Sequence, residues 1–169
     1  DLAVVGAMVP DNERLDVPSG VVRAFDVRSG ELRWAWEPVT EQYRQRHRDE
    51  LGNTLYHLGT PNVWAPISGD PELELVYVPT GNPSPDLYGG DRDGIDAYGS
   101  STVALEAATG KLRWHFQTVH HDVWDYDVAS QASLFDIPGV GGGAPGLAQP
   151  TKMGHVFLLN RATGEPLYP

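Results

Sequence analysis

Eight consecutive residues, 120–127, carry the side chains in this sequence that are best suited to proton transfer. They read His-His-Asp-Val-Trp-Asp-Tyr-Asp, so three carboxylates, two imidazoles and two large aromatic side chains lie next to one another. A carboxylate against aromatic walls is a candidate general base, because partial loss of water raises its proton affinity. The competing interpretation is a polar turn whose aspartates accept hydrogen bonds from nearby backbone amides. On these eight residues alone, the polar turn is favoured.

The composition narrows the class of protein. The chain has 169 residues, 40% of them hydrophobic, which is enough for a globular domain with its own core. A net charge of −11 argues against nucleic acid or an anionic membrane surface as a direct partner. The absence of cysteine excludes disulfides, a zinc–thiolate site and a cysteine nucleophile. No apolar run reaches the length of a transmembrane helix. No signal peptide is visible and the chain opens on Asp1 rather than Met, so we expect a piece of a longer protein.

Short apolar or alternating runs dominate the chain and predict a mostly β structure. The predicted strands cover residues 2–9, 21–27, 32–36, 73–78, 101–105, 112–116 and 155–159. The segment 120–127 follows one of them, and loops at strand ends are where functional sites tend to be built. One helix is predicted over residues 41–51, with Thr40 as its N-cap and Gly52 as its stop.

An internal repeat predicts how the strands are organised. The stretch Ala-Phe-Asp-Val-Arg-Ser-Gly-Glu-Leu-Arg-Trp at 24–34 matches Ala-Leu-Glu-Ala-Ala-Thr-Gly-Lys-Leu-Arg-Trp at 104–114, and a degenerate third copy covers 158–168. Each copy is typical of a hairpin that turns at a glycine, since glycine adopts the positive φ such turns need. Repeated hairpins with aromatic signatures predict the blades of a β-propeller, and about three units cannot close one.

Two glycine-containing motifs lack the context that their usual functions require. Residues 139–144 fit a dinucleotide-binding glycine pattern, but they lie between Pro138 and Pro145 and open no helix, so they predict a hairpin loop. Residues 91–96 hint at a calcium loop, but the glycine is misplaced and the twelfth position is Thr102 rather than glutamate.

Five motifs, taken in order, are similar to those of a known family. They are Asp-Asn at 11–12 with Ser-Gly-Val-Val-Arg-Ala-Phe-Asp at 19–26, Pro-Asn-Val-Trp-Ala-Pro at 61–66, Val-Pro-Thr-Gly-Asn-Pro-Ser-Pro-Asp at 78–86, Thr-Val-His-His-Asp-Val-Trp-Asp at 118–125, and Lys-Met-Gly-His-Val-Phe at 152–157. With them the chain resembles the quinoprotein dehydrogenases, which use pyrroloquinoline quinone (PQQ) and a divalent metal on an eight-bladed propeller. Within that family it is most similar to the membrane-bound glucose/quinate/shikimate branch.

The resemblance extends from about residue 5 to about residue 165 and implies the domain organisation. Residues 1–169 would form an incomplete, all-β propeller domain of about three blades, with inserted loops at about 38–60, 87–100 and 136–150. The repeat with Trp34 and Trp114 looks like the family's tryptophan docking motif, which ties neighbouring blades together.

The resemblance also implies roles for single residues. Asp125 takes the position of the catalytic base, which removes the hydroxyl proton while hydride leaves carbon for the quinone. Trp64 takes the position of the indole under the cofactor. Lys152 takes the position of the basic residue that donates hydrogen bonds to the quinone oxygens. Asp122 and Asp127 are expected to be structural. His120 and His121 are expected to be local hydrogen-bond partners rather than metal ligands.

The metal site is where the sequence departs from the family pattern. Asp11 lies at the position of the carboxylate ligand, with Asn12 beside it. The alcohol-oxidising branch supplies its second ligand from an asparagine that matches Asn82, whereas the glucose branch has a threonine that matches Ser84. We favour Asn82, because a side-chain amide oxygen suits Ca²⁺ or Mg²⁺.

The resemblance implies an enzyme that oxidises a sugar, such as glucose to its lactone, or a cyclic polyol. Electrons would pass to ubiquinone on the periplasmic side of the bacterial inner membrane, with membrane attachment through parts outside this chain. The alternatives are a soluble quinoprotein alcohol dehydrogenase and a non-catalytic propeller scaffold. The stretch at 118–122 and the long loop at 87–98 favour the sugar/quinate branch, and a scaffold gives no reason for the predicted site residues to coexist.

Overall fold

The fold consists of antiparallel β-sheets, as the sequence predicts. The structure, a computed structural model, describes residues 1–12, 17–46, 59–92 and 94–169, and within them ten strands form three sheets. The first sheet contains β1 (Leu2–Val5), β2 (Val22–Asp26) and β3 (Leu32–Trp36). The second contains β4 (Ser68–Asp70), β5 (Leu75–Pro79), β6 (Ser101–Glu106) and β7 (Leu112–Gln117). The third contains β8 (Ser133–Phe135), β9 (Gly146–Pro150) and β10 (Val156–Asn160).

The pairing is antiparallel throughout, and within each sheet every strand pairs with its neighbours in sequence. The orders are β1-β2-β3, β4-β5-β6-β7 and β10-β9-β8. The predicted strands are confirmed, although their ends shift, and β4, β8 and β9 were not predicted. The glycine-rich segment 139–144 lies in the connection between the paired strands β8 and β9, so its prediction as a hairpin loop is confirmed.

One α-helix, α1 (Glu41–Arg46), is described. The Thr40 hydroxyl accepts a hydrogen bond from the backbone N–H of Tyr43 at 3.1 Å, so the predicted N-cap is confirmed. The predicted stop at Gly52 lies outside the described residues. No helix in the described ranges has the length and hydrophobicity of a membrane-spanning segment.

The predicted hairpin turns lie at Gly30 and Gly110. Both glycines have positive φ, +74° and +70°, and their N–H groups close the turns onto the carbonyls of Asp26 and Glu106. Gly164 repeats the arrangement in the third sheet, with φ +79° and a hydrogen bond to the carbonyl of Asn160. The three copies of the repeat therefore share one backbone geometry.

Two tryptophans tie each sheet to the next. The indole N–H of Trp34 donates to the carbonyl of Ala107 at 2.9 Å, and that of Trp114 donates to the carbonyl of Arg161 at 3.2 Å. A Cβ at Gly110 would lie 2.5 Å from the Trp34 ring, and one at Gly164 would lie 2.6 Å from the Trp114 ring. Each indole thus covers the glycine turn of the following sheet, and the resemblance to the family's docking motif predicted that these tryptophans tie neighbouring units together.

The two central strands of the second sheet, β5 and β6, are buried on both faces, which explains their apolar runs. Val103 and Leu105 of β6 belong to a core cluster shared with Trp34 and Trp36 of the first sheet. Ala104, which points the other way, belongs to a cluster shared with Leu147 and Leu159 of the third sheet. Successive side chains of a strand face opposite sides, so one strand serves both cores.

A buried arginine reinforces the junction of the second and third sheets. The Arg161 guanidinium pairs with Asp70 at 2.6 Å and with Asp136 at 2.7 Å, and it donates to the carbonyl of Phe135. The Arg161 carbonyl accepts the Trp114 indole and the Tyr77 hydroxyl. These contacts fix the relative position of two sheets whose loops build the site described next.

Candidate functional site

Five connecting segments meet at the site. They are residues 6–12 after β1, 59–66 before β4, 80–86 after β5, 118–128 after β7 and 151–155 after β9. Hydrogen bonds link them: among these, Asn62 donates to Asp11 at 2.6 Å, Trp64 donates to Asp127 at 3.2 Å, and Lys152 donates to Asp125 at 3.1 Å. The site therefore draws on all three sheets.

The centre of the site is an acidic cavity of about 260 Å³. Its lining comprises Met8, Val9, Asp11, Asn12, Trp64, Asp86, Asp125 and Asp127. Four residues singled out in the sequence analysis, Asp11, Asn12, Trp64 and Asp125, thus line one cavity. Lys152 joins them through its bonds to Asp125 and Asp127, and the backbone N–H of Asn82 donates to Asp127 at 2.6 Å.

Asp125 is the accessible carboxylate of its segment. Its side chain is 41% exposed, against 7% for Asp127, and Asp122 is buried. The backbone of Asp125 is left-handed, with φ +58°, which an L-residue adopts at a cost. Asp122 holds this conformation, because its carboxylate accepts the N–H groups of Trp124 and Tyr126 on either side at 2.9 and 2.7 Å. The segment is a polar turn, and that turn presents a carboxylate to the cavity.

Lys152 bridges two aspartates. Its ammonium lies 3.1 Å from Asp125 Oδ2 and 3.0 Å from Asp127 Oδ2. Burial alone would lower the pKa of Lys152, but the hydrogen bonds and charges of Asp127 and Asp125 outweigh it and raise that pKa. Burial raises the pKa of Asp127, against the opposing effect of the hydrogen bonds from Asn82 and Lys152. Lys152 is therefore a cation at neutral pH, available to bond an anionic or carbonyl oxygen.

Trp64 offers a flat apolar surface at the edge of the cavity. The residue is 44% exposed, and its indole N–H is held by Asp127 Oδ2. The Lys152 ammonium lies 5.8 Å from the ring centroid. A partly uncovered indole next to a cation fits a planar quinone with carbonyl and carboxylate oxygens.

Oxygen atoms without donors lie around Asp11 and Asn82. The Asn82 side-chain nitrogen donates to the carbonyls of Asp86 and Asp122 at 2.9 and 3.1 Å, which leaves its Oδ1 buried and without a partner among the described residues. One carboxylate oxygen of the buried Asp86 is in the same state. Burial raises the pKa of the Asp11 carboxyl, against the hydrogen bond from Asn62. Such a surplus of hard acceptors fits Ca²⁺ or Mg²⁺.

The fit to a metal depends on amide oxygens. In the part of the chain that the structure describes, no three His, Cys, Asp or Glu side chains are grouped closely enough to hold a metal ion. Asn12 lines the cavity beside Asp11, and the Ser84 hydroxyl donates to the backbone carbonyl of Asp11 at 2.6 Å. Both alternatives from the sequence, Asn82 and Ser84, thus belong to the segment that borders Asp11.

Asp86 is a site residue that the sequence analysis did not single out. Burial raises its pKa to about 7, and the charges of Asp11, Asp125 and Asp127 add to that effect. Buried Arg92 opposes it and pins the segment, because its guanidinium donates to the carbonyls of Pro85, Asp86 and Asp122. Nothing in the local sequence shows that Asp86 would be buried beside three other carboxylates.

Asp127 was expected to be structural, yet it contacts both residues assigned to the cofactor, Trp64 and Lys152. The signal that could have drawn attention to it is its spacing of two residues from Asp125. His121 lies outside the cavity lining, where its Nδ1 lies 2.9 Å from Asp96 Oδ2 in an exposed pair.

Comparison with known proteins shows the family to which the chain belongs. Residues 1–169 match the PQQ family, which is described as the β-propeller domain of glucose/ethanol/alcohol dehydrogenases. The glycerol dehydrogenase large subunit of Gluconobacter thailandicus is 46% identical over 99% of this chain and 23% of its own length. The quinoprotein glucose dehydrogenase of Escherichia coli is 43% identical over 98% of this chain and 21% of its own length.

A solved structure gives the same fold. The quinohemoprotein alcohol dehydrogenase of Pseudomonas putida HK5 superposes with a TM-score of 0.77 and 28% identity, over 99% of this chain and 26% of that one. The chain therefore spans between 21% and 26% of the length of these three proteins.

Proposed function

We propose that this chain, which belongs to the β-propeller family of the PQQ-dependent glucose, ethanol and alcohol dehydrogenases, is part of an enzyme that oxidises a hydroxyl group of a sugar or polyol. The observation that supports this most strongly is the convergence of Trp64, Asp125 and Lys152 around one acidic cavity. Glucose, oxidised to its lactone, and quinate or shikimate are the candidate substrates. The relatives named for glucose and glycerol favour this class.

In the proposed reaction the side chains of this chain bind, orient and move a proton. Asp125 would accept the proton of the substrate hydroxyl, since it is the exposed carboxylate of the cavity. Trp64 would stack against the cofactor ring, and Lys152 would donate to an oxygen on which negative charge grows. PQQ, when bound, would supply the two-electron acceptor for the hydride that leaves the substrate carbon.

The proposed metal is Ca²⁺ or Mg²⁺, held by Asp11, Asn12 and Asn82. The unpartnered Oδ1 of Asn82 supports this set, because a buried amide oxygen without a donor is costly unless a cation or donor meets it. Ser84 remains the alternative ligand. The ion would polarise a carbonyl oxygen of the cofactor as a Lewis acid.

The remaining features follow from the branch of the family. We propose that residues 1–169 form an incomplete propeller domain of about three blades, with inserted loops at about 38–60, 87–100 and 136–150. Electrons would pass to ubiquinone, on the periplasmic side of the bacterial inner membrane, and membrane attachment would come from parts outside this chain. A soluble alcohol dehydrogenase is the second candidate, because an alcohol dehydrogenase shares the fold at a TM-score of 0.77.

The test uses the full-length protein that contains this chain, stripped of cofactor and metal. We expect PQQ with Ca²⁺ or Mg²⁺ to restore dye-linked oxidation of glucose, quinate or glycerol, with ethanol a poor substrate. A clear preference for ethanol would favour the alcohol dehydrogenase. If the protein does not bind PQQ at all, the alternative of a non-catalytic propeller scaffold is favoured.

A further inference from the structure

One buried side chain that links several segments of the site, Asp127, has no role in the reaction proposed so far. Asp127 is buried, and its two carboxylate oxygens receive three donors from three different segments. Oδ1 accepts the backbone N–H of Asn82 at 2.6 Å. Oδ2 accepts the Trp64 indole at 3.2 Å and the Lys152 ammonium at 3.0 Å.

We infer that Asp127 is the positioning residue that sets Trp64 and Lys152 relative to one another for the planar cofactor. The inference rests on the proposed function, because the cofactor gives the arrangement its purpose. Asp127 Oδ2 accepts hydrogen bonds from both the Trp64 indole and the Lys152 ammonium. The side chain that would stack on the cofactor ring and the one that would bond its oxygens are therefore held by the same atom. An indole and a lysine on separate loops otherwise keep considerable rotational freedom.

Asp127 is also one of the two counter-ions of Lys152. The ammonium is bonded both to Asp127 and to the proposed base, Asp125. Without Asp127, Asp125 would be the nearest counter-ion left to Lys152, and the ammonium would pair fully with the carboxylate that has to accept a proton. Asp127 therefore takes up part of the positive charge that Asp125 would otherwise balance alone.

The absence of a side chain at Gly81 makes room for the Asp127 carboxylate. Gly81 precedes Asn82, and a Cβ at Gly81 would lie 2.8 Å from Asp127 Oδ1 and 3.4 Å from Trp64 Nε1. The closer contact is shorter than real Cβ atoms tolerate, so any side chain at position 81 would push Asp127 away. Gly81 is not at a positive φ, so its glycine is explained by this close approach rather than by its backbone conformation.

The first arm of the test needs no cofactor. In the full-length apoprotein, reductive methylation followed by mass spectrometry measures how accessible each lysine is. We expect Asp127→Asn to raise the methylation rate of Lys152 several-fold, while exposed Lys111 stays unchanged as the internal reference. Gly81→Ala, which moves the carboxylate without removing it, should have the same effect, and Gly69→Ala, where a Cβ would meet nothing, should have none. An unchanged Lys152 rate in both Asp127→Asn and Gly81→Ala would overturn the inference.

The second arm measures the dissociation constant of PQQ by equilibrium dialysis. We expect Asp127→Asn to weaken binding at least about tenfold, since it removes charge-assisted bonds. We also expect the Asp127→Asn and Trp64→Phe effects to be strongly non-additive, because both remove the same charge-assisted hydrogen bond between the indole and Asp127. The matched control is Asp122→Asn, which removes another buried aspartate of the segment; its effect should simply multiply with that of Trp64→Phe.

The two arms separate the inference from the proposed function. Additive effects of Asp127→Asn and Trp64→Phe, or equal coupling of Asp122 to Trp64, would reduce Asp127 to a structural residue. If wild-type protein binds no PQQ, the proposed function fails. Protection of Lys152 by Asp127 in the apoprotein would then still support the anchor itself.

Discussion

At the scale of single residues, Asp122, Asp125 and Asp127 share one segment but differ in what surrounds them. Asp122 is buried and accepts two backbone amides and the Ser100 hydroxyl. Asp127 is buried and holds side chains from other segments. Asp125 is the accessible one of the three, and Asp122 fixes its backbone. Exposure and partners, rather than residue type, thus separate the candidate base from its neighbours.

Replacing the proposed base gives the first prediction. In the full-length enzyme, Asp125→Asn keeps the shape of the side chain but cannot accept a proton. A general base contributes about 10²–10⁴-fold to rate, so we expect kcat to fall by at least about 10²-fold. The affinity for PQQ should change little. Steady-state kinetics and equilibrium dialysis measure the two quantities.

The control for Asp125 is Asp122→Asn, which should mainly lower the thermal midpoint and cost far less in kcat. If Asp122→Asn abolishes turnover while Asp125→Asn leaves it near normal, the base has been assigned to the wrong carboxylate. If both variants keep normal turnover, the segment is only a polar turn.

Asp86 gives a prediction about pH in the metal-free protein. Burial and three neighbouring carboxylates raise its pKa to about 7 in the folded protein, from 3.8 in the unfolded chain. Between these values the folded state binds more protons than the unfolded state, so stability contributed by neutral Asp86 is lost as pH rises through about 7. We expect Asp86→Asn to unfold at a higher temperature than wild type at pH 8 and to match it more closely near pH 4.5.

Thermal unfolding of the metal-free protein across this pH range measures the effect. Added Ca²⁺ should restore the stability of the wild type at pH 8, because a cation favours ionised carboxylates. An unchanged pH slope in Asp86→Asn would show that Asp86 is ionised without penalty and that the acidic cavity is better hydrated than its burial indicates.

At the scale of elements, the glycine turns connect the sheets as well as the strands. Gly110 combines a positive φ with the Trp34 ring packed against it, whereas a Cβ at Gly139, also at positive φ, would meet nothing. Gly139→Ala should therefore cost only the backbone strain, about 1–2 kcal/mol. Gly110→Ala should cost clearly more, because the Trp34 indole has to leave its place. Urea unfolding of the two variants measures the difference, and equal losses would mean that the indole contributes little to holding the sheets together.

The same scale shows what the sequence could predict. Strands with clear alternation or apolar runs, such as β3 and β6, were predicted, as were the turns at Gly30 and Gly110. β4 (Ser-Gly-Asp) and β9 (Gly-Leu-Ala-Gln-Pro) were not, because their residues have little intrinsic preference for strands. They form by pairing, β4 with β5 and β9 between β8 and β10. Tertiary contacts there outweigh local propensity.

At the scale of the whole molecule, the site exists because three sheets meet. Lys152 comes from the third sheet, Asp125 and Trp64 come from segments around the second, and Asp11 follows the first strand of the first sheet. These residues could be singled out from the family motifs in the sequence, and the resemblance to the tryptophan docking motif predicted which side chains join neighbouring sheets. The burial of Asp86 and Asp127 could not be predicted, because it arises only where the loops of different sheets close on one another.

The last prediction concerns residues 1–169 produced alone. The chain spans 23% and 21% of its glycerol and glucose dehydrogenase relatives, and apolar side chains such as Val156 and Tyr168 stay exposed beside the third sheet. Open sheet edges and an uncovered apolar face favour association and leave the cavity without its remaining walls. We expect no measurable oxidation of glucose or quinate by this segment, even with PQQ and Ca²⁺, whereas the full-length protein is active in the same dye-linked assay. Turnover by the isolated segment would show that the described residues suffice for catalysis, and that the rest of the protein is needed for something other than completing the site.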